Sequence, residues 1–179
     1  MIHITFAPHA TSIDNEKGLA SGYNDIELSQ LGLQQAKELG ERNNELPLDR
    51  IYTSDLKRAY KTATIAFENR NIPIHKDARL REWDYGDMTQ HPKIEVESER
   101  INRISTPFPN GESLIQATTR VGDFLGELLH YHDFENIFII GHRATRFGLE
   151  HWIKHRSLED LITENYQWQP AWTYEFKEL

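Results

Sequence analysis

The order of segments along the 179-residue chain predicts an α/β fold, a three-layer sandwich whose mostly parallel central sheet carries helices on both faces. Three observations predict it. Short β-rich runs alternate with stretches of helical apolar spacing. The run NIFIIG (136–141) has no polar alternation, as a strand buried on both faces requires. The length suits one domain with a real core, and no linker, repeat or low-complexity segment divides residues 1–179.

The elements follow in order. IHITF (2–6) reads as the first strand, stopping before Pro8, which cannot continue a central ladder. Ser29 caps a helix bearing Leu33, Ala36 and Leu39 that ends near Asn43 and Asn44. RIYTS (50–54) is a second strand, and Asp55 opens a helix with Leu56, Ala59, Ala63 and Ala66 on one face. IPIHK (72–76) is a third, shorter strand. From Trp83 to Asn110 the period is lost, and His91-Pro92, Thr106-Pro107 and Phe108-Pro109 punctuate the stretch. Residues 83–110 therefore predict an irregular excursion, with a short helix in it, serving as lid or pocket wall. Glu112 to Tyr131 gives the strongest helix, with Leu114, Ala117, Val121, Phe124, Leu125 and Leu128 along its buried stripe. After NIFIIG comes a helix holding Phe147, Leu149 and Trp152. Ser157 with Asp160 caps a final helix, and WTYEF (172–176) closes as a strand.

Composition removes several function classes. Twenty basic against 28 acidic residues give a net charge of −8 with no basic run, which argues against nucleic acid and anionic membrane as partners. An anionic substrate would need a local basic pocket in an acidic protein. There is no cysteine, hence no disulfide, thiolate nucleophile or cysteine metal site. No leader pattern or membrane-length apolar run is present, so the expected compartment is cytoplasmic.

Three strand-to-helix junctions carry polar groups that a core does not need. They are His9 after the first strand, Ser54 and Arg58 after the second, and His142, Arg143 and Arg146 after NIFIIG. In a parallel sheet these junctions share one edge, where ligands bind. Glu82, in RLREWDYGD, would be a fourth contributor. Each has a bland reading: an Arg58–Asp55 ion pair, a surface pair of Glu82 with Arg79 or Arg81, a loop histidine. Their convergence is what those readings explain poorly. Two imidazoles, guanidinium groups and a carboxyl together suit phosphoryl transfer, which needs a nucleophile, positive charge around phosphate oxygens and a proton for the leaving group.

The stretches FAPHATSIDN, ASGYNDIELSQLG, TSDLKRAYKTA, LREWDYGD, NGESL and IIGHRATR resemble, in order, the motifs of the histidine phosphatase superfamily, the phosphoglycerate-mutase-like enzymes. The resemblance spans nearly the whole chain. It implies that His9 is the nucleophile that becomes phosphohistidine, Arg58 a phosphate clamp, His142 the second pocket histidine, and Glu82 the proton donor to the leaving oxygen. It places Asn15, Ser21 and Gly22 in the phosphate and substrate pocket. It implies no metal and no cofactor, and a small phosphorylated substrate; a homodimer is compatible with it. HWIKH (151–155) has histidines at i,i+4 but lacks a zinc-protease glutamate, so a packed or capping pair is expected there.

The chain departs from this family at both ends of the pocket. Pro8 stands where the family has arginine, Ala10 and Arg143 where it has glycine. One such clamp can be worth about 2.7–4 kcal/mol of transition-state stabilisation. Arg143 is expected to restore the missing guanidinium and to share in phosphate binding, with Arg146 a poorer candidate. Three outcomes stay open: a phosphomonoesterase, a phosphomutase, and a pseudophosphatase that binds phosphorylated ligands without turnover. Trp83, Tyr85, Trp168 and Trp172 line a pocket for an aromatic or sugar-bearing substrate on one reading and pack a core on the other.

Overall fold

Alternate residues of NIFIIG point in opposite directions, and each direction leads into an apolar layer. Ile137 and Ile139 join one buried cluster with Ile4, Phe6, Val121 and Phe124. Phe138 and Ile140 join another with Ile51, Ala59 and Ala63. That two-sided burial makes NIFIIG the centre of the sheet. The structure is a computed structural model, and it describes residues 1–131 and 135–178.

Five strands, β1 (Ile2–Pro8), β2 (Arg50–Thr53), β3 (Ile74–Lys76), β4 (Asn136–Gly141) and β5 (Trp172–Phe176), form a sheet of order β3-β2-β4-β1-β5. All pairings are parallel except that of β5, which runs antiparallel along β1 at the edge. Helices α2 (Gln30–Arg42) and α3 (Lys57–Ala66) pack together on the face of Phe138 and Ile140. On the opposite face α5 (Leu114–Leu128) packs against α6 (Arg143–Lys154). The remaining helices are the short α1 (Ile13–Lys17), α4 (Lys93–Glu99) and α7 (Leu158–Thr163). The three-layer α/β sandwich is therefore observed. Among the described residues no helix is long and apolar enough to cross a membrane.

Several boundaries differ from those the sequence predicts, each for a physical reason. The first strand does not stop before Pro8: Pro8 is its last residue and pairs with Gly141, since at a strand end no further N–H is required of it. The loop after it contains α1, capped by Ser12, whose hydroxyl accepts from the Asn15 N–H. Asp55 does not open α3. Leu56 is the N-cap, and the Asp55 carboxylate instead accepts two hydrogen bonds from Arg81 at 2.7 and 2.5 Å. The third strand is 74–76, because Pro73 precedes it. The long helix is shorter than 112–131, running from 114 to 128 behind a Ser113 capping box with Gln116.

The excursion at 83–110 holds α4 and two single 3₁₀ turns, at 86–88 and 100–103. Its base is cinched by backbone bonds from Asp87 N–H to the Pro109 carbonyl and from Glu112 N–H to the Asp84 carbonyl. Gly86, at φ +51°, allows this approach: a Cβ there would sit 2.0 Å from the Pro109 oxygen. Trp83, Tyr85, Val96 and Phe108 then bury themselves against Leu114 and Phe147, so the excursion is packed over the sheet edge.

The α5–α6 crossing depends on close backbone approach. A Cβ on Gly148 would lie 2.4 Å from the Cβ of Val121, and one on Gly122 would lie 2.6 Å from the Trp152 ring. Both neighbours are packed, so neither can yield cheaply. We predict that Gly148→Ala destabilises the fold by about 1–3 kcal/mol, read as a lower urea midpoint with an unchanged slope.

Candidate active site

The parallel pairing of β1 with β4 ends at Pro8 opposite Gly141, so the next residue of each strand is a histidine. The His9 N–H extends the ladder by one bond to the Gly141 carbonyl, 2.9 Å away. The two imidazoles emerge side by side with ring centroids 5.0 Å apart. Two residues 133 positions apart in the chain thus meet because two strands share a register.

The His9 ring is fixed chemically as well as spatially. Its Nδ1 lies 2.7 Å from the Ala10 carbonyl oxygen. A carbonyl only accepts, so Nδ1 carries the proton and Nε2 keeps its lone pair. Burial, and then the positive charge of Arg58, push the His9 pKa down to about 4. The ring is therefore neutral near pH 7, with a free nitrogen nucleophile.

His142 is held well below the ordinary histidine range by burial first, then by Arg58 and His9. Its Nε2 sits 2.7 Å from the Ser54 hydroxyl, and its buried Nδ1 has no hydrogen-bond partner. A neutral imidazole accepting from Ser54 at Nε2 bears its proton on Nδ1, a donor awaiting an acceptor. The backbone N–H of His142 donates to the Thr145 hydroxyl, which itself donates to the Leu80 carbonyl.

Arg58 is almost fully buried, 1% exposed. It does not pair with Asp55. Its guanidinium donates to the carbonyls of Gly22 (2.8 Å) and Asn24 (2.9 Å), using two of its five N–H groups. A charged group held by neutral carbonyls keeps its positive field uncancelled. Ser21, Gly22 and Asn15 line the same recess as Arg58 and His9, and Gly22 takes φ +48° so that its carbonyl can reach the guanidinium.

Among the described residues Glu82 makes no salt bridge. Arg79 pairs with Asp77 and Glu127, and Arg81 with Asp55. The Glu82 carboxylate instead accepts, at Oε1, from Trp83 N–H (2.9 Å) and from Ala144 N–H in the first turn of α6 (3.1 Å). Both bonds land on one oxygen. Arg120 holds the segment from behind, donating to the carbonyls of Arg79 and Glu82 while it pairs with Glu112 at 2.8 Å. Glu112 in turn takes the Trp83 indole N–H on its carbonyl and the Asp84 N–H on its side chain. This staple accounts for the Gly-Glu-Ser turn of NGESL, whose place the sequence shows but whose purpose it does not.

A cavity of about 800 Å³ opens over these groups. His9, Asn15, Glu82, His142 and Arg143 line it, and His9, Asn15 and Glu82 also line the adjoining recess of about 60 Å³ that contains Arg58. All eight site residues expected from sequence thus border one connected space. Arg143 reaches Glu97 at 3.3 Å and stacks over Phe147 and Tyr166. Arg146, buried, is paired with Glu164 and packed over Trp172. Two cations were not singled out in the sequence: Arg100 and Lys93 line both spaces. Arg100 donates to the Tyr85 hydroxyl at 2.6 Å and has a buried Nε without a partner. Both sit in the irregular excursion, where no periodicity marks a facing side; only their charge amid KIEVESER signals them. The single carboxylate of Glu97 is shared among Lys93, Arg100 and Arg143.

The four aromatics divide. Trp83 is a core residue, Tyr85 is buried in the same cluster yet also lines the recess of Arg58, and Trp168 and Trp172 border the larger cavity. The His151 Nδ1–H donates to the Arg156 carbonyl at 2.8 Å, and His155 ends α6 in a left-handed cap. Among the described residues no group of three or more histidine and acidic side chains could hold a metal ion.

Comparison with known proteins agrees with this geometry. The model of the histidine phosphatase superfamily, branch 1, matches residues 4–168. Phosphoserine phosphatase 1 of Hydrogenobacter thermophilus is 33% identical over 150 residues, covering 79% of this chain and 71% of that protein. The 2,3-bisphosphoglycerate-dependent phosphoglycerate mutase of Streptococcus thermophilus is 39% identical over 101 residues, 54% of this chain and 44% of that one. Among solved structures, Bacillus stearothermophilus YhfR superposes with a TM-score of 0.86 at 26% identity, over 98% of this chain and 91% of its own.

The electrostatics of the pocket make a direct prediction. Because burial disfavours the imidazolium, His9 stays neutral above its midpoint and gains a proton only as pH falls through about 4. Titration of the ring by NMR should show that midpoint; an ordinary value near 6.5 contradicts the burial argument.

Proposed function

The chain belongs to the histidine phosphatase superfamily, and on that premise we propose that it is a metal-independent phosphomonoesterase acting on a small phosphorylated metabolite through a phosphohistidine intermediate. One observation carries the reading. A neutral His9 with its Nε2 lone pair free stands beside a buried His142 and Arg58, at the mouth of a cavity large enough for a substrate.

The phosphate enters the recess of Arg58, Asn15, Ser21 and Gly22. His9 Nε2 attacks phosphorus in line; the P–N bond forms as the P–O ester bond breaks. Glu82, protonated on the oxygen that its two backbone donors leave free, delivers that proton to the departing alkoxide. His142 Nδ1–H and the guanidinium of Arg58 stabilise the charge on the equatorial oxygens. Water, deprotonated by the Glu82 carboxylate, then cleaves the P–N bond and releases phosphate. A cavity of this breadth admits water to the intermediate, which supports a phosphatase over a mutase.

Pro8 offers neither charge nor N–H, so the positive charge must come from elsewhere. Three cations share Glu97, which leaves the cluster of Lys93, Arg100 and Arg143 with net positive charge across the cavity from Pro8. Arg143 and Arg100 take the role of the absent guanidinium. Pro8 also favours one second reading, a domain that binds phosphorylated ligands and does not turn them over.

Mixing with an activated aryl phosphate and quenching should trap phosphate on His9, labile to acid and stable to alkali, in a burst that His9→Ala abolishes. Binding with no burst supports the second reading, and turnover that survives His9→Ala removes the mechanism. Arg143→Gly should lower kcat/KM by about 10²–10³, the size expected for one lost clamp; unchanged turnover in that variant ends the compensation argument.

A further inference from the structure

We propose that the organic part of the substrate is a planar, aromatic or heteroaromatic group, and that it stacks on Trp168; this rests on the phosphomonoesterase reading above. The cavity is the starting point. Its volume of about 800 Å³ far exceeds the recess of about 60 Å³ that holds Arg58, and it lies in the range of small-molecule sites. The space beyond the recess admits a bulky group on the phosphate.

The character of the wall says what kind of bulk. Pro8 places an uncharged, apolar ring next to His9, and the cavity continues over Phe6 to Tyr166, Trp168, Pro170 and Trp172. Trp172 is held between two rings: Phe6 at 5.8 Å, and Tyr166, stacked at 6.4 Å with 26° between planes. Arg143 and Arg146 brace the other face of this wall over Tyr166. Arg146 already faces the carboxylate of Glu164, so the part of the wall beside Trp172 is poorly suited to a second anionic group.

Trp168 differs from its neighbours. It is 64% exposed, and among the described residues it has no ring or hydrogen-bond partner. A large indole left bare on a surface is informative where a bare leucine is not. Here it borders the same cavity as His9, next to an aromatic wall of Phe6, Trp172 and Tyr166 whose rings contact one another. A planar leaving group entering beside His9 would cover it. Aromatic pairing then selects flat groups over saturated groups of equal size.

Two substrates separate shape from hydrophobicity. 2-Phenylethyl phosphate and 2-cyclohexylethyl phosphate have alkoxide leaving groups of similar basicity and similar apolar size, and differ in planarity. Wild type should favour the phenyl compound by about two- to tenfold in kcat/KM, mostly through KM. The preference should fall to about one in Trp168→Ala and persist in Trp168→Phe. A ratio near one in wild type, or an unchanged ratio in Trp168→Ala, overturns the proposal while leaving the phosphatase reading intact. If wild type hydrolyses neither compound, that reading fails, and calorimetry with the two matching phosphonates still tests the wall. Tighter binding of the phenyl phosphonate in wild type, lost in Trp168→Ala, supports stacking; equal affinities or no binding refute it.

Discussion

The site depends on one pairing, β1 against β4. Parallel strands in register bring their carboxyl ends to the same level, and here the final pair is Pro8 with Gly141. The candidate site is placed relative to that end: His9 and His142 follow it directly, and Ser54, after β2, reaches His142 from the neighbouring strand. A slip of the register by one residue would reverse which face each side chain meets and separate the imidazoles. The two-sided apolar burial of NIFIIG prevents that slip, because Ile137 and Ile139 cannot exchange layers with Phe138 and Ile140 without opening both. Core packing and site geometry are thus one constraint.

A second theme is how an acidic chain keeps a cationic pocket. Many of its charged side chains are locally paired, as with Arg79, Arg81 and Arg120 on Asp77, Asp55 and Glu112. Around the cavity the pairing is incomplete. Arg58 has carbonyls for partners, and three cations divide one glutamate. Burial first, and then the charge of Arg58, hold both histidines neutral, while the incompletely paired cations leave positive field around the cavity. The carboxylates outside the pocket contribute to solubility and to bracing of the excursion, with little effect on the recess, since exposed pairs are screened.

Pro8 links these themes. As the last residue of a strand it costs no ladder hydrogen bond, so the fold tolerates a proline immediately before His9. Pro8 and Phe6 line the cavity together with Trp172, while Lys93, Arg100 and Arg143 line it from the excursion and the first turn of α6.

The sequence by itself determined the layer architecture, the order of the main strands and helices, and the convergence of His9, Arg58, Glu82 and His142. Periodicity and strand direction are local and additive properties, and parallel strands leave no choice about where their ends lie. It did not determine the end of β1, the capping of α3 or the use of Asp55, because each turns on a partner distant in sequence: Gly141 for Pro8, Arg81 for Asp55. Nor did it reveal Arg100, Lys93 and the exposure of Trp168. These sit in irregular segments, where no repeat says which side chains face inward, and only packing of the excursion and the C-terminal stretch against the sheet decides it. Tertiary structure alone sets which charges remain unpaired, since neutralisation depends on which oxygens come within a few ångströms.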